Sequence, residues 1–283
     1  MQDSHNSVVF TQHILDLREL ALYSWFSMSN LIDRGDFLPV LAPLANQKWL
    51  RDPALVGKPI KARKADAQPP LDEYFNALFT ALGPQQWWPG ETPFEIIIGA
   101  ILTQNTSWRN VELALASLRA ASVFTPAAVG QVSLRRLQSL IRSAGYFRQK
   151  ARALKAFVKF LRSEYRGSLK RMFATPTIAL REKLLDVYGI GPETADAILL
   201  YAGGHPVFVV DAYTKRIMAR HQWIREEAPY QDVGWMFERQ FPGNVERFKE
   251  FHGLIVMVGK KWCRKSAAEC ENCPLGRYLE EAR

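Results

Sequence analysis

LLDVYGIGPETADAILLYAGGHPVFVVDAYTKRIMAR, residues 184–220, is the stretch on which the fold turns. Leu184, Leu185 and Val187 fall on one helical face and end at the turn Gly189-Ile190-Gly191. Pro192 suits the first position of a following helix, where a missing N–H removes no helical bond. Ile190 is placed to plug the turn, and Gly189 and Gly191 are expected to supply positive φ and a close backbone approach. Ala195, Ile198 and Leu199 give the second helix an apolar stripe. VFVV (207–210) is short and strand-like, and Asp211 then opens a third helix as its N-cap. The amides that start the second helix form an anion site, and amide hydrogen bonds keep a capping carboxylate ionised. Read alone, the glycine turn is also an ordinary connection between helices, and Asp211 an ordinary cap.

Outward from this stretch the apolar residues recur at helical spacing. They do so in LDEYFNALFTAL, PFEIIIGAILTQ, SWRNVELALASLRAA, LRRLQSLIRSAG, QKARALKAFVKFLRSEY, TIALREKLLDVY and ERFKEFHGLIVMVGKKW. Short Gly or Pro breaks separate these runs, and no convincing alternating strand intervenes. The expectation is an all-α body of medium helices from Leu71 onward. Residues 1–70 read as an N-terminal leader with a basic linker, GKPIKARKADAQPP (57–70).

The net charge is +9, and residues 135–183 hold fourteen Lys or Arg against Glu164 and Glu182. Such a field favours a polyanion, although a solvated basic helix face has the same composition. No apolar run is long enough to span a bilayer, and the N-terminal residues lack the pattern of a secretory signal. A soluble, reducing compartment is expected. Cys263, Cys270 and Cys273 are an odd, clustered set, which is a poor disulfide framework.

GIGPETADAIL followed by VVDAYTKRIMAR resembles the signature of helix-hairpin-helix DNA glycosylases of the endonuclease III type. The likeness covers roughly residues 71–278 and includes PFEIIIGAILTQNTSWRNV, LIRSAGYFRQKARAL and the cysteine cluster. It implies a two-lobed fold, with a six-helix barrel over about 92–206. A second lobe of about 71–91 plus 207–283 carries a C-terminal Cys loop. Damaged double-stranded DNA would lie in the cleft, with the target base flipped out because stacking hides its glycosidic bond. The resemblance implies that Asp211 is the catalytic acid and that Gln104 fills the gap left by the flipped base. Gly189, Ile190, Gly191, Thr194, Lys150 and Lys215 are the other candidate DNA contacts.

Glu193 stands where lyase-competent members carry a lysine, and a carboxylate cannot form an imine. This departure implies a monofunctional enzyme, with Lys215 the nearest amine in sequence should a lyase step exist. Glu193 with LTQNT and VVDAY is also similar to a branch acting on alkylated purines such as 3-methyladenine. Trp87, Trp88 and Trp108 are candidate walls of a base pocket, with Tyr146 and Phe147 weaker ones; each is equally a packing aromatic. The cysteines match three of the four [4Fe–4S] ligands of the family, with Leu279 at the fourth place. A cluster completed by water or Glu280, an empty site, and zinc completed by His252 all stay open. So do three functional readings: a monofunctional glycosylase, a bifunctional glycosylase/lyase, and a damage-recognition protein without catalysis. A monomer associated with the nucleoid of the cytoplasm is expected.

Overall fold

The computed structural model describes residues 68–280, so the leader up to residue 67 lies outside the described residues. Helices α1 (Leu71–Leu82), α2 (Pro93–Leu102) and α3 (Trp108–Ala120) come first. They are followed by α4 (Pro126–Gln131), α5 (Leu134–Leu140) and a 3₁₀ turn over Arg142–Ala144. The long α6 (Phe147–Tyr165), short α7 (Leu169–Phe173) and α8 (Thr177–Leu185) lead to the glycine turn. After it, α9 (Pro192–Ala197) widens into a π-helical turn, Ile198–Ala202. Then come α10 (Ala212–Arg220), α11 (Tyr230–Gln240), α12 (Val245–Lys261) and α13 (Arg277–Glu280). The periodic runs named above all become helices; α4, α7, α11 and α13 are additional.

Local chemistry sets the starts. Thr92 and Thr125 cap α2 and α4 by accepting from Glu95 N and Ala128 N, and each is followed by a proline at the first helical position. Ser133, Ser168 and Asn244 cap α5, α7 and α12 in the same way. VFVV (207–210) forms neither helix nor strand and joins no sheet. Among the described residues, β pairing is limited to an isolated bridge between Cys263 and Ala268.

The helices form two lobes. The barrel runs from α2 to α9, with α6 packed against α2, α4, α5 and α7. In the second lobe α12 lies against α1 and α10. Its core is aromatic: Phe208, Phe237, Phe248 and Phe251 are fully buried, and Phe208 stacks on Phe237 at 3.8 Å between centroids. Phe208 stands three residues before Asp211, so this stack anchors the chain that delivers the carboxylate. The π-helical turn touches both α2 and α12, and thus joins the lobes.

Part of the basic run 135–183 serves the fold. Lys150 is 4% exposed, and its Nζ donates to Leu102 O (2.8 Å) and Ala144 O (2.7 Å), closing the ends of α2 and the 3₁₀ turn. Burial pushes its pKa down to about 8. Lys155 donates to Gly130 O, Arg181 pairs with Asp196, and Lys183 pairs with Glu164. The net charge of a helical run therefore overstates the cation field at its surface. Lys150→Met leaves two carbonyls without their donor and is expected to lower the unfolding free energy by about 2 kcal/mol. A shifted urea midpoint at unchanged slope measures it.

Candidate active site

The hairpin departs from expectation at one glycine. Gly189 has φ +81°, and a Cβ there would lie 2.7 Å from the Ala153 Cβ, so both positive φ and close approach to α6 hold at this position. Gly191 is instead extended, at φ −94° and ψ 179°, with open space where a Cβ would be. It begins α9, whose start has no side-chain cap. Ile190 is buried and plugs the turn. Arg181 on α8 clasps Asp196 on α9 with two hydrogen bonds (2.6 and 3.0 Å), which fixes the angle between the two helices. Gln104, just beyond α2, donates to Gly189 O (3.0 Å) and Thr194 Oγ1 (2.9 Å), tying its loop to the hairpin.

Beside the hairpin a cleft of about 830 Å³ opens between the lobes. Trp87, Trp88, Trp108, Glu193, Asp211 and His252 line it, as do Gln104 and Gly191 on the hairpin side. Asp211 is the N-cap of α10: its Oδ1 accepts from Thr214 N (2.7 Å) and Thr214 Oγ1 (2.9 Å). Its Oδ2 faces His252 Nε2 at 3.7 Å. Burial alone would push this carboxyl up, but His252 and the Thr214 hydrogen bonds outweigh it and hold the group below its ordinary value. Glu193 behaves in the opposite way. Burial first, and then the charge of Asp211, push it up to about 7, with His252 opposing. The cleft thus holds one permanent carboxylate and one that titrates near neutrality.

The three tryptophans meet at this cleft. Trp88 stands edge-on to Trp108 (5.3 Å between centroids, 89°) and packs against Tyr201 at 5.2 Å. Trp87 carries Lys260 Nζ at 5.2 Å from its ring centroid. The buried indole N–H groups of Trp87 and Trp88 have no acceptor among the described residues.

Other candidates from the sequence lie elsewhere. Tyr146 is 65% exposed and lines a separate groove with Gln104 and Lys150, while Phe147 lies between Arg142 and Arg148. Lys215 donates to Ala228 O (2.8 Å) and is not among the cleft residues. Lys260 and Arg216 are the cations that line the cleft. Sequence reasoning missed them, together with the place of His252, because they reach the cleft from α10 and α12 only through tertiary packing. The helical spacing of His252, Val256 and Lys260 was a usable signal, since all three line the cleft from one face of α12.

Cys263, Cys270 and Cys273 border one cavity with Arg220, His221 and Leu279. Arg220 Nη1 lies 3.1 Å from Cys263 Sγ, a partner suited to a thiolate, whereas burial pushes the Cys273 thiol up. The donor chemistry fits three corners of an iron–sulfur cluster and not the fourth, where Leu279 offers no ligand atom. No three His, Cys, Asp or Glu groups among the described residues are drawn together closely enough to hold a metal ion. His252 does not complete a zinc site: it lies on α12, eleven residues before Cys263, and lines the other cleft rather than the cysteine cavity. The side chain of Glu280 lies outside the described residues.

A two-lobed helical body, a glycine hairpin and a buried carboxylate beside an interlobe cleft define the class of helix-hairpin-helix DNA repair glycosylases. The chain belongs to the HhH-GPD superfamily of base excision DNA repair proteins, whose family model matches residues 98–241. A protein of Methanocaldococcus jannaschii assigned as a DNA repair glycosylase is 44% identical over 206 residues, covering 72% of this chain and 93% of that one. Endonuclease III of Thermotoga maritima is 26% identical, over 66% of this chain and 83% of its own. Among solved structures, the 3-methyladenine DNA glycosylase MagIII of H. pylori, bound to 1,N6-ethenoadenine, aligns with a TM-score of 0.61 at 29% identity. That alignment covers 68% of this chain and 97% of that one. A non-covalent endonuclease III–DNA complex aligns with a TM-score of 0.61 at 25% identity, over 75% and 92% of the two chains. No helix among the described residues is long and apolar enough to cross a membrane.

Proposed function

We propose that this DNA glycosylase hydrolyses the N-glycosidic bond of an extruded base without a lysine-dependent strand-cleavage step, and that N-alkylated purines are its base class. The observation that carries the reading is the shared cleft, in which an ionised Asp211, a titrating Glu193 and three tryptophans meet beside the hairpin. The amides of Gly191 and the first turn of α9, open to solvent beside a glycine, suit a DNA phosphate. Gln104, anchored to the hairpin, stands where the extruded base would leave a gap in the stack. The exposed ring of Tyr146 on the same groove suits stacking against a neighbouring base.

In the reaction the bond between C1′ and the base nitrogen breaks, and its electron pair leaves with the base. The positive charge that develops on the sugar faces the Asp211 carboxylate, a fixed anion in a water-poor setting. Water then adds to C1′ and gives its proton to that carboxylate. An alkylated purine already carries positive charge, so it is a good leaving group. It is held by tryptophan faces and by Glu193 in its ionised form. Glu193 cannot attack the sugar, which leaves Lys260 as the amine lining the cleft. A bifunctional enzyme would require a borohydride-trapped adduct at that lysine. All of these groups come from one chain, which suits a monomeric enzyme built on residues 71–283.

For the cysteine loop we propose a structural role, with Cys263, Cys270 and Cys273 as ligands of a [4Fe–4S] cluster and a non-thiolate ligand at its fourth iron. Anaerobically purified protein is then expected to contain iron and sulfide, both lost in Cys270→Ser; a fully active protein with neither element overturns this.

Asp211→Asn is expected to bind lesion-containing duplex as before and to release base at least about a hundredfold more slowly, the scale on which a preorganised electrostatic group acts. Single-turnover assays beside binding titrations measure both, and intact turnover would remove Asp211 from the chemistry. As pH rises through about 7, Glu193 loses its proton and the cleft becomes more negative. The rate on a cationic lesion relative to a neutral one should therefore increase across that range. The increase should vanish in Glu193→Gln, which stays neutral throughout.

A further inference from the structure

We propose that His252 is a positioning residue for base excision: it presents Nε2–H to Asp211 Oδ2, keeping that carboxylate charged and aimed into the cleft, while Tyr201 fixes the imidazole. The inference rests on the glycosylase reading above and assigns a role that neither motif nor resemblance supplied.

Three elements make the arrangement. Asp211 caps α10, Tyr201 projects from the π-helical turn, and His252 comes from α12. His252 and Asp211 are both buried to nine-tenths or more. His252 Nδ1 lies 2.6 Å from the Tyr201 hydroxyl, which also lies 3.4 Å from Lys249 O. Burial pushes that hydroxyl well above its ordinary pKa, so it remains a neutral O–H.

The hydrogen-bond logic restricts the ring. If Tyr201 donates to Lys249 O, it accepts from Nδ1–H. That tautomer leaves Nε2 bare and sets its lone pair against a carboxylate, a repulsion that disfavours it. If Tyr201 instead donates to Nδ1, the neutral ring carries its proton on Nε2. The second arrangement places an N–H at Nε2, facing Oδ2, and is the one that suits the carboxylate. The gap of 3.7 Å exceeds a hydrogen bond and suits an electrostatic contact that leaves Oδ2 available to the cleft. Thr214 already saturates Oδ1. The carboxylate is thus tied at one oxygen and steered at the other. His252 Nε2 makes no hydrogen bond among the described residues, although it is buried. A group buried in this way is costly unless its polarity serves a neighbour.

The charged and titratable neighbours of the pair are Glu193 on α9, Tyr201 on the π-helical turn, Arg216 on α10, and Glu250 and Lys260 on α12. Of the groups that hold the Asp211 carboxyl down, His252 acts most strongly, ahead of Thr214.

The test uses the full chain, a duplex with one N-alkylated purine, and the variants His252→Leu, His252→Gln, Tyr201→Phe and Asp211→Asn. His252→Leu is expected to keep duplex affinity and to lose roughly tenfold or more in single-turnover rate. The acid limb of its rate profile should move to higher pH, because Asp211 protonates more readily without its partner. His252→Gln, whose amide can still donate, should recover part of the rate, and Tyr201→Phe should show a smaller loss of the same kind. A packing role alone would not move the acid limb. An unchanged rate, or a lower rate with an unmoved limb, overturns the proposal. Should His252→Leu fail to unfold cooperatively, the Gln and Tyr201→Phe variants decide by the same criterion. If the wild-type chain releases no base from any lesion, the glycosylase reading itself fails. If wild type is active, Asp211→Asn inactive and His252→Leu normal, only the role of His252 fails.

Discussion

Asp211 is almost wholly removed from water and still holds its charge, because Thr214 supplies two donors to one oxygen and His252 stands at the other. Desolvation would otherwise favour the protonated acid, which cannot stabilise a cation. Much of the surrounding architecture keeps this arrangement in register. The Phe208–Phe237 stack fixes the segment that ends at Asp211, and Tyr230 Oη receives Val210 N one residue before it. The Arg181–Asp196 clasp fixes the hairpin on the other side. The two halves of the cleft come from different lobes, and the π-helical turn that touches both carries Tyr201 to His252.

The same cleft sets two carboxylates to different tasks by environment alone. Asp211 has amide, hydroxyl and imidazole partners; Glu193, an exposed residue of the cleft wall, has partial desolvation and a negative neighbour. Replacing the family lysine by Glu193 therefore does more than remove an amine. It adds a second acid, whose carboxyl is pushed up first by desolvation and then by the charge of Asp211. On the proposed reading, a pocket walled by tryptophans beside a recruitable negative charge would select a base by its charge rather than by its hydrogen-bonding edge.

The basic run and the cysteines show how composition can mislead in magnitude without misleading in kind. Four of the fourteen cations between 135 and 183 are partnered within the chain: Lys150 and Lys155 with carbonyls, Arg181 and, at the surface, Lys183 with acids. The three cysteines do gather around one cavity, yet Leu279 occupies the corner that a fourth would fill. Spacing brings residues to a place; only the shape of that place says what they are free to do.

What the sequence determined by itself was local: helix periods, the Pro192 start, the glycine turn plugged by Ile190, and Asp211 as an N-cap. Each depends on residues within a few positions of one another, so the chain carries the information in short range. Even there the two glycines of the hairpin proved unequal, since the closeness of Ala153 that makes Gly189 irreplaceable comes from α6. The tertiary structure alone decided that Gln104 binds the hairpin, that Lys215 turns to a carbonyl while Lys260 enters the cleft, and that His252 meets Asp211. These pairs lie tens of residues apart, and whether two side chains meet at that range depends on how packed helices rotate and cross, which no single segment encodes.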